Sequence, residues 1–167
     1  MNPLEIIAEF YEPGSESFQI LVKHGKQVAN KATDVAKRVP HLKPNLNFIN
    51  EAAVLHDIGI FKTNSPEFGC SGKHPYVRHG YLGRKILEKK GLLRHALVCE
   101  RHVGIGISTQ EIKFNNLPLP QRDMIPISIE EQIICFADKF FSKNGEVDSG
   151  EKSVKDILNA IRKYGPE

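Results

Sequence analysis

The chain has 167 residues, 40% hydrophobic and 26% charged, which suits one domain around a continuous core and leaves no low-complexity tract. Its net charge of +3 is spread among acidic residues without a sustained basic stripe, so no nucleic acid is expected as a partner. The N-terminus lacks a secretory pattern, no apolar run reaches the roughly 20 residues that span a bilayer, and Cys70, Cys99 and Cys135 have no CxxC spacing; a cytoplasmic protein with free thiols and no membrane contact is expected.

In chain order the pattern is helical nearly throughout. Asn2 can cap a short helix starting at Pro3. A long helix is predicted from about Ser17 to Val39, with Leu21, Val28, Ala32, Val35 and Val39 at three- and four-residue spacing and Pro40 stopping it. A third covers roughly Leu46 to Ile58, with Gly59 placed as its C-terminal cap. Phe61–Pro75, rich in Gly, Pro, Ser and Asn, reads as a loop long enough to close over a ligand. Helices follow at about Tyr76–Lys90 and Leu92–Val103, separated by Gly91, and Gly104 and Gly106 suit a cap and turn. Ser108 with Glu111, and Ser128 with Glu131, have capping-box spacing. The second box opens a helix through Ile133, Phe136 and Phe141, and a last amphipathic helix at about 151–164 ends at Gly165-Pro166. No alternating strand pattern is long enough to count. The fold class is all-α.

Four of the seven histidines fall on these helices beside apolar residues: His24, His56, His79 and His102. Asp57 follows His56, and Asp138 follows the apolar run Ile133–Ala137. Burying a polar group without a partner costs roughly 1–3 kcal/mol, and an unpaired buried carboxylate costs far more. Four imidazoles and two carboxylates on core-facing helices therefore need each other, or something shared. A divalent cation meets that need, since neutral imidazole and carboxylate suit iron, manganese, nickel or zinc. Each residue alone reads more simply as a satisfied core or ion-pair group; the ordered set is what points to a metal. His41 and His74 sit beside prolines in loops, and His95 is expected on an exposed turn.

The run AAVLHDIGIFK (Ala52–Lys62), with His24 upstream and CFADKF (Cys135–Phe140) downstream, resembles the HD superfamily of metal-dependent phosphohydrolases, in which HDIG is a variant of the central motif. The likeness spans about Phe18 to Lys143. It implies a compact helical bundle over 1–167 with the metal site between core helices. It also implies that His24, His56, Asp57 and Asp138 hold one metal, that His79 and His102 serve a second, and that Asp57 bridges the two. The doublet is not continued as HDxxED, and there is no GYP tripeptide, which turns the resemblance away from guanosine-tetraphosphate hydrolases and cyclic-di-GMP phosphodiesterases. The layout is more similar to small bacterial HDIG proteins, including the branch that cleaves diadenosine tetraphosphate symmetrically.

The resemblance thus implies hydrolysis of a phosphate ester or anhydride, of a nucleotide or dinucleoside polyphosphate, by a metal-activated hydroxide. Asp57 and Lys62 are the candidate catalytic residues. Lys62, Arg84, Arg101 and Lys139 are the candidates for gripping phosphate, since an anion needs a few cationic groups. Two rivals remain at this level: a di-iron oxygenase on the same ligand order, and a nucleotide-binding module that keeps a metal without turnover. A homodimer is the default expectation for an oligomer.

Overall fold

The computed structural model describes residues 1–143 and 150–162. Helix α1 (Pro3–Ala8) begins where expected, with the Asn2 side chain accepting a hydrogen bond from the Leu4 amide. Helix α2 (Glu16–Arg38) is capped by Ser15, which accepts from the Phe18 amide, and it ends just ahead of Pro40. Its buried face carries Leu21, His24, Gly25, Val28, Ala29, Ala32 and Ala36, the three- and four-residue repeat seen in the sequence. Helix α3 (Leu46–Leu55) starts on Asn45, whose side chain accepts from the Phe48 amide. It packs on α2 beside His24, where a Cβ on Gly25 would stand only 2.9 Å from the Val54 carbonyl oxygen.

The third helix is shorter than the pattern suggested, and Gly59 is not its cap. After Leu55 the chain passes through the His56-Asp57 doublet into a 3-10 turn, Ile58–Lys62. A Cβ on Gly59 would overlap the His79 carbonyl oxygen and the Gly83 nitrogen, so this glycine serves close backbone approach. Tyr11 staples the turn: its hydroxyl donates to the Ile58 carbonyl at 3.1 Å and accepts from the Phe61 amide at 3.0 Å.

The expected loop Phe61–Pro75 contains a two-residue antiparallel pair, β1 (Asn64–Ser65) with β2 (Cys70–Ser71), closed through Gly69 at φ 65°. A 3-10 turn, Tyr76–Arg78, feeds helix α4 (His79–Lys89), and Gly91 at φ 73° separates it from α5 (Leu93–Arg101). Helix α6 (Thr109–Phe114) has the full capping box of Ser108 and Glu111. Helix α7 (Ile129–Asp138) has half of one: Ser128 accepts from the Glu131 amide, while the Glu131 carboxylate turns to Arg101 at 2.9 and 3.1 Å. Phe140 and Phe141 lie beyond the end of α7. Helix α8 (Val154–Arg162) is the predicted last helix, and Gly165-Pro166 falls outside the described residues.

The fold is all-α as expected, apart from the β1–β2 pair. The main core joins Ile7, Val28, Ile49, Leu55, Ile58, Leu87, Val98 and Ile134, all fully buried. Ile107, Ile112 and Met124 form a smaller cluster under α6. Helix α2 packs on α3 and α7, and α4 packs on α5 and on the turn after the doublet. One end each of α3, α4, α5 and α7 meets the middle of α2 at one point in the interior.

Candidate metal centre

At that point stand the six polar residues picked out by the sequence. His24 comes from the middle of α2, His56 and Asp57 from the end of α3, and His79 from the first residue of α4. His102 follows α5, and Asp138 closes α7. All six are buried, Asp138 the least at 8% exposure.

Three of the imidazoles are oriented by the same local device. The Nδ1–H of His56, His79 and His102 lies on the backbone carbonyl three residues earlier, at Ala53 (2.5 Å), Tyr76 (2.7 Å) and Cys99 (2.8 Å). A hydrogen bond that fixes the proton on Nδ1 leaves Nε2 as a bare lone pair in the neutral ring. Those Nε2 atoms converge on Asp57. The carboxylate divides them: Oδ2 faces His56 at 3.1 Å and His24 at 3.4 Å, whereas Oδ1 faces His102 at 3.3 Å and His79 at 3.4 Å. Asp138 Oδ1 stands on the first side, 2.9 Å from His24 and 3.4 Å from His56. On the second side His79 and His102 bring Nε2 to within 3.1 Å of each other.

The electrostatics favour the same state. Burial pushes His24 and His102 below their ordinary value and His79 down to about 3, so these rings are neutral. Burial alone would raise both carboxylates. His56 and Lys143 hold Asp57, and Lys139 and Lys143 hold Asp138, well below the usual carboxylate range. His56 is the exception: burial lowers it, but Asp57 and Asp138 outweigh that and bring it to about 9. Neutral His24, His79 and His102 beside two ionised carboxylates are in the protonation state that ligates a cation, whereas His56 has to give up a proton to do so. Asp57 Oδ1 has no partner of hydrogen-bond geometry among the described residues, and Oδ2 has the Lys143 ammonium in ion-pair contact. This set of buried imidazole and carboxylate donors fits a divalent transition metal. His24, His56 and Asp138, or His56, Asp57 and His102, could each hold an ion from within one small cluster.

The basic candidates divide. Lys139 is at the centre, its ammonium 2.8 Å from Asp138 Oδ2 and donating to the His102 carbonyl at 3.3 Å. Lys62 is exposed, with its ammonium over the Phe61 ring. Arg84 is bound to Glu88 at 2.6 Å and to the buried Glu100, which also holds Arg122. Arg101 is bound to Glu131. The contacts of these three cations are with other residues than the six. His95 is on α5 rather than on an exposed turn, edge-on to Phe48 and 3.4 Å from Glu51.

Sequence reasoning missed Lys143. Its Nζ lies 2.8 Å from Asp57 Oδ2 and donates to the Tyr76 hydroxyl at 3.2 Å, and burial pushes that phenol up to about 12. Lys143 follows the end of α7, outside any helical repeat, so no periodicity could flag it. Beside Asp138 a cleft of about 310 Å³ opens to solvent, lined by Tyr76, Lys139, Lys143, Lys152 and Ile157. No helix among the described residues is long and apolar enough to cross a membrane.

Comparison with known proteins adds independent findings. The model of the HD domain family matches residues 12–142. An uncharacterized protein of Methanocaldococcus jannaschii is 31% identical over 143 residues, 83% of this chain and 77% of that one. A tRNA (cytidine(56)-2'-O)-methyltransferase of Thermoplasma volcanium is 29% identical over 94% of this chain, and one of Picrophilus torridus is 32% identical over 74%. The chain spans only 40% and 32% of the length of those two enzymes. The solved HD domain of the phosphodiesterase PgpH of L. monocytogenes shares the fold, with a TM-score of 0.57 over 97% of this chain and 81% of that one, at 18% identity.

Proposed function

The chain belongs to the HD domain family, the metal-dependent phosphohydrolases, and we propose from this that it cleaves a phosphate ester or anhydride of a nucleotide or dinucleoside polyphosphate at a two-cation centre. The observation that carries the proposal is the division of Asp57, one oxygen toward His24 and His56 and the other toward His79 and His102. In this proposal His24, His56, Asp57 and Asp138 hold one ion, and Asp57, His79 and His102 hold the other. Bound there, divalent cations supply a water that loses its proton near neutral pH, and they draw charge from a phosphoryl oxygen.

The chain's own residues do the rest. The carbonyls of Ala53, Tyr76 and Cys99 keep three rings in the ligating tautomer, so no reorganisation is needed when substrate arrives. Lys139 sits where it can compensate an anion entering from the cleft, and the Tyr76 ring offers a flat apolar face on the same wall. Lys62 is the weaker candidate for a catalytic role, given its exposed position.

The test is metal analysis of protein purified without chelator, paired with a phosphate-release screen. The panel spans mononucleotides, phosphodiesters and dinucleoside polyphosphates. Because two relatives are named as tRNA methyltransferases, it includes phosphates carried on tRNA. About two equivalents of metal with release from a nucleotide is the expected result. Metal without release from any member of the panel would reject the hydrolase.

A further inference from the structure

Lys143 brings its ammonium to within 2.8 Å of the candidate bridging carboxylate. Its side chain is 13% exposed against 1% for Asp57. It binds Oδ2, the same oxygen that faces His24 and His56, and so it stands on the side where those rings and Asp138 gather. It also lines two spaces at once: a small buried cavity shared with Tyr11, His24 and Asp57, and the open cleft shared with Lys139 and Lys152. The residue is therefore the neck between the buried carboxylates and solvent.

Charge explains why an ammonium suits that position. Asp57 and Asp138 are two buried negative charges, and Lys143 and Lys139 bring two positive ones. Leaving a buried carboxylate uncompensated is strongly destabilising. A divalent ion on the same carboxylate oxygen removes that need and repels the ammonium. A lysine is a point charge on a flexible four-carbon stem, so it can turn without moving the backbone. The space open to it is the cleft, where Lys139 and Lys152 already stand.

Resting on the metal-centre reading above, we propose that Lys143 is an exchangeable cation with two stations. In the metal-free protein it occupies Asp57 Oδ2 in place of an ion. When the site is loaded it turns into the cleft and, with Lys139 and Lys152, takes a phosphate oxygen of the substrate.

The experiment uses the wild-type chain, stripped of metal and then loaded with Mn²⁺, and reads lysine acylation site by site by mass spectrometry, with exposed Lys62 as the internal standard. Lys143 is expected to label several-fold faster with Mn²⁺ than without it, and inorganic phosphate is expected to restore protection. Bound Mn²⁺ with Lys143 labelling unchanged overturns the exchange and leaves the metal centre standing; failure to bind Mn²⁺ at all overturns both. Lys143→Met adds a second readout. Mn²⁺ should bind the variant about tenfold more tightly, the weight of one charge-assisted bond no longer broken. Phosphate should bind its loaded form more weakly. Unchanged affinity for both ligands would also overturn the exchange.

Discussion

At the scale of single residues, the centre is a problem of lone pairs, and the variants that matter are those that take a donor from one side of Asp57. His79→Gln or His102→Gln removes a ring facing Oδ1, so metal analysis should fall from about two equivalents to about one, with the second ion lost. His24→Gln removes a ring facing Oδ2 and should cost the other ion. Loss of both ions in every variant would show that the sites fill as a unit and that the division of Asp57 carries no meaning. Arg101 gives a contrasting case. It was a candidate for phosphate, but its guanidinium lies on the buried Glu131. Arg101→Met should cost about 2 kcal/mol of stability in denaturant titration, as charge-assisted bonds are lost, and should leave KM for the substrate unchanged. A large rise in KM without loss of stability would return Arg101 to the phosphate site. The six histidine and aspartate positions were legible because buried polar types on apolar faces are conspicuous in a sequence. The pairing of Arg84 with Glu100 and of Arg101 with Glu131 was not, since it depends on which helix lies beside which.

At the scale of elements, the helices were legible from their periodicity and caps, and the misses concentrate where tertiary contact overrode the local pattern. Ser15, Asn45 and Ser108 cap as side-chain chemistry requires. Gly59 reads as a C-cap by its position, yet it serves the crossing of the doublet turn with the start of α4, a contact between segments some 20 residues apart. Gly59→Ala should therefore cost about 2–3 kcal/mol by forcing two backbones apart, and should lower metal content by shifting His79. An alanine variant with unchanged unfolding midpoint and metal content would return Gly59 to an ordinary turn position. The α3–α5 contact makes a pH prediction. Burial against Phe48 lowers His95, and Glu51 opposes that only in part. Its folded value lies below the ordinary 6.5, so below pH 6.5 the unfolded chain takes up a proton that the folded chain refuses. Stability contributed by this contact is thus complete above 6.5 and declines as pH falls toward the folded value. His95→Gln should flatten the fall in unfolding midpoint between pH 7.5 and 5.5, and equal slopes for both proteins would refute it.

At the scale of the whole molecule, five helices each bring at least one polar group to a single interior point, and no two of those groups, apart from the doublet, are neighbours in sequence. A structure built this way has its main core and its candidate metal centre in the same place, so filling the centre and folding the chain are linked. The ammoniums of Lys139 and Lys143 stand against Asp138 and Asp57, and the Nε2 atoms of His79 and His102 face each other. With an ion bound only to the folded state, stability rises as RT ln(1 + [L]/Kd), about 2.7 kcal/mol at a hundredfold excess over Kd. Metal-stripped protein should therefore unfold at a clearly lower temperature than protein in excess Mn²⁺, and a chelator should reverse the gain. The same titration on the His24→Gln and His79→Gln proteins should return part of that gain in each, because each keeps one half of Asp57 in use. Mn²⁺ that leaves the melting temperature of the wild-type chain unchanged would mean that the six residues satisfy one another without an ion, and the link between the centre and the fold would be lost.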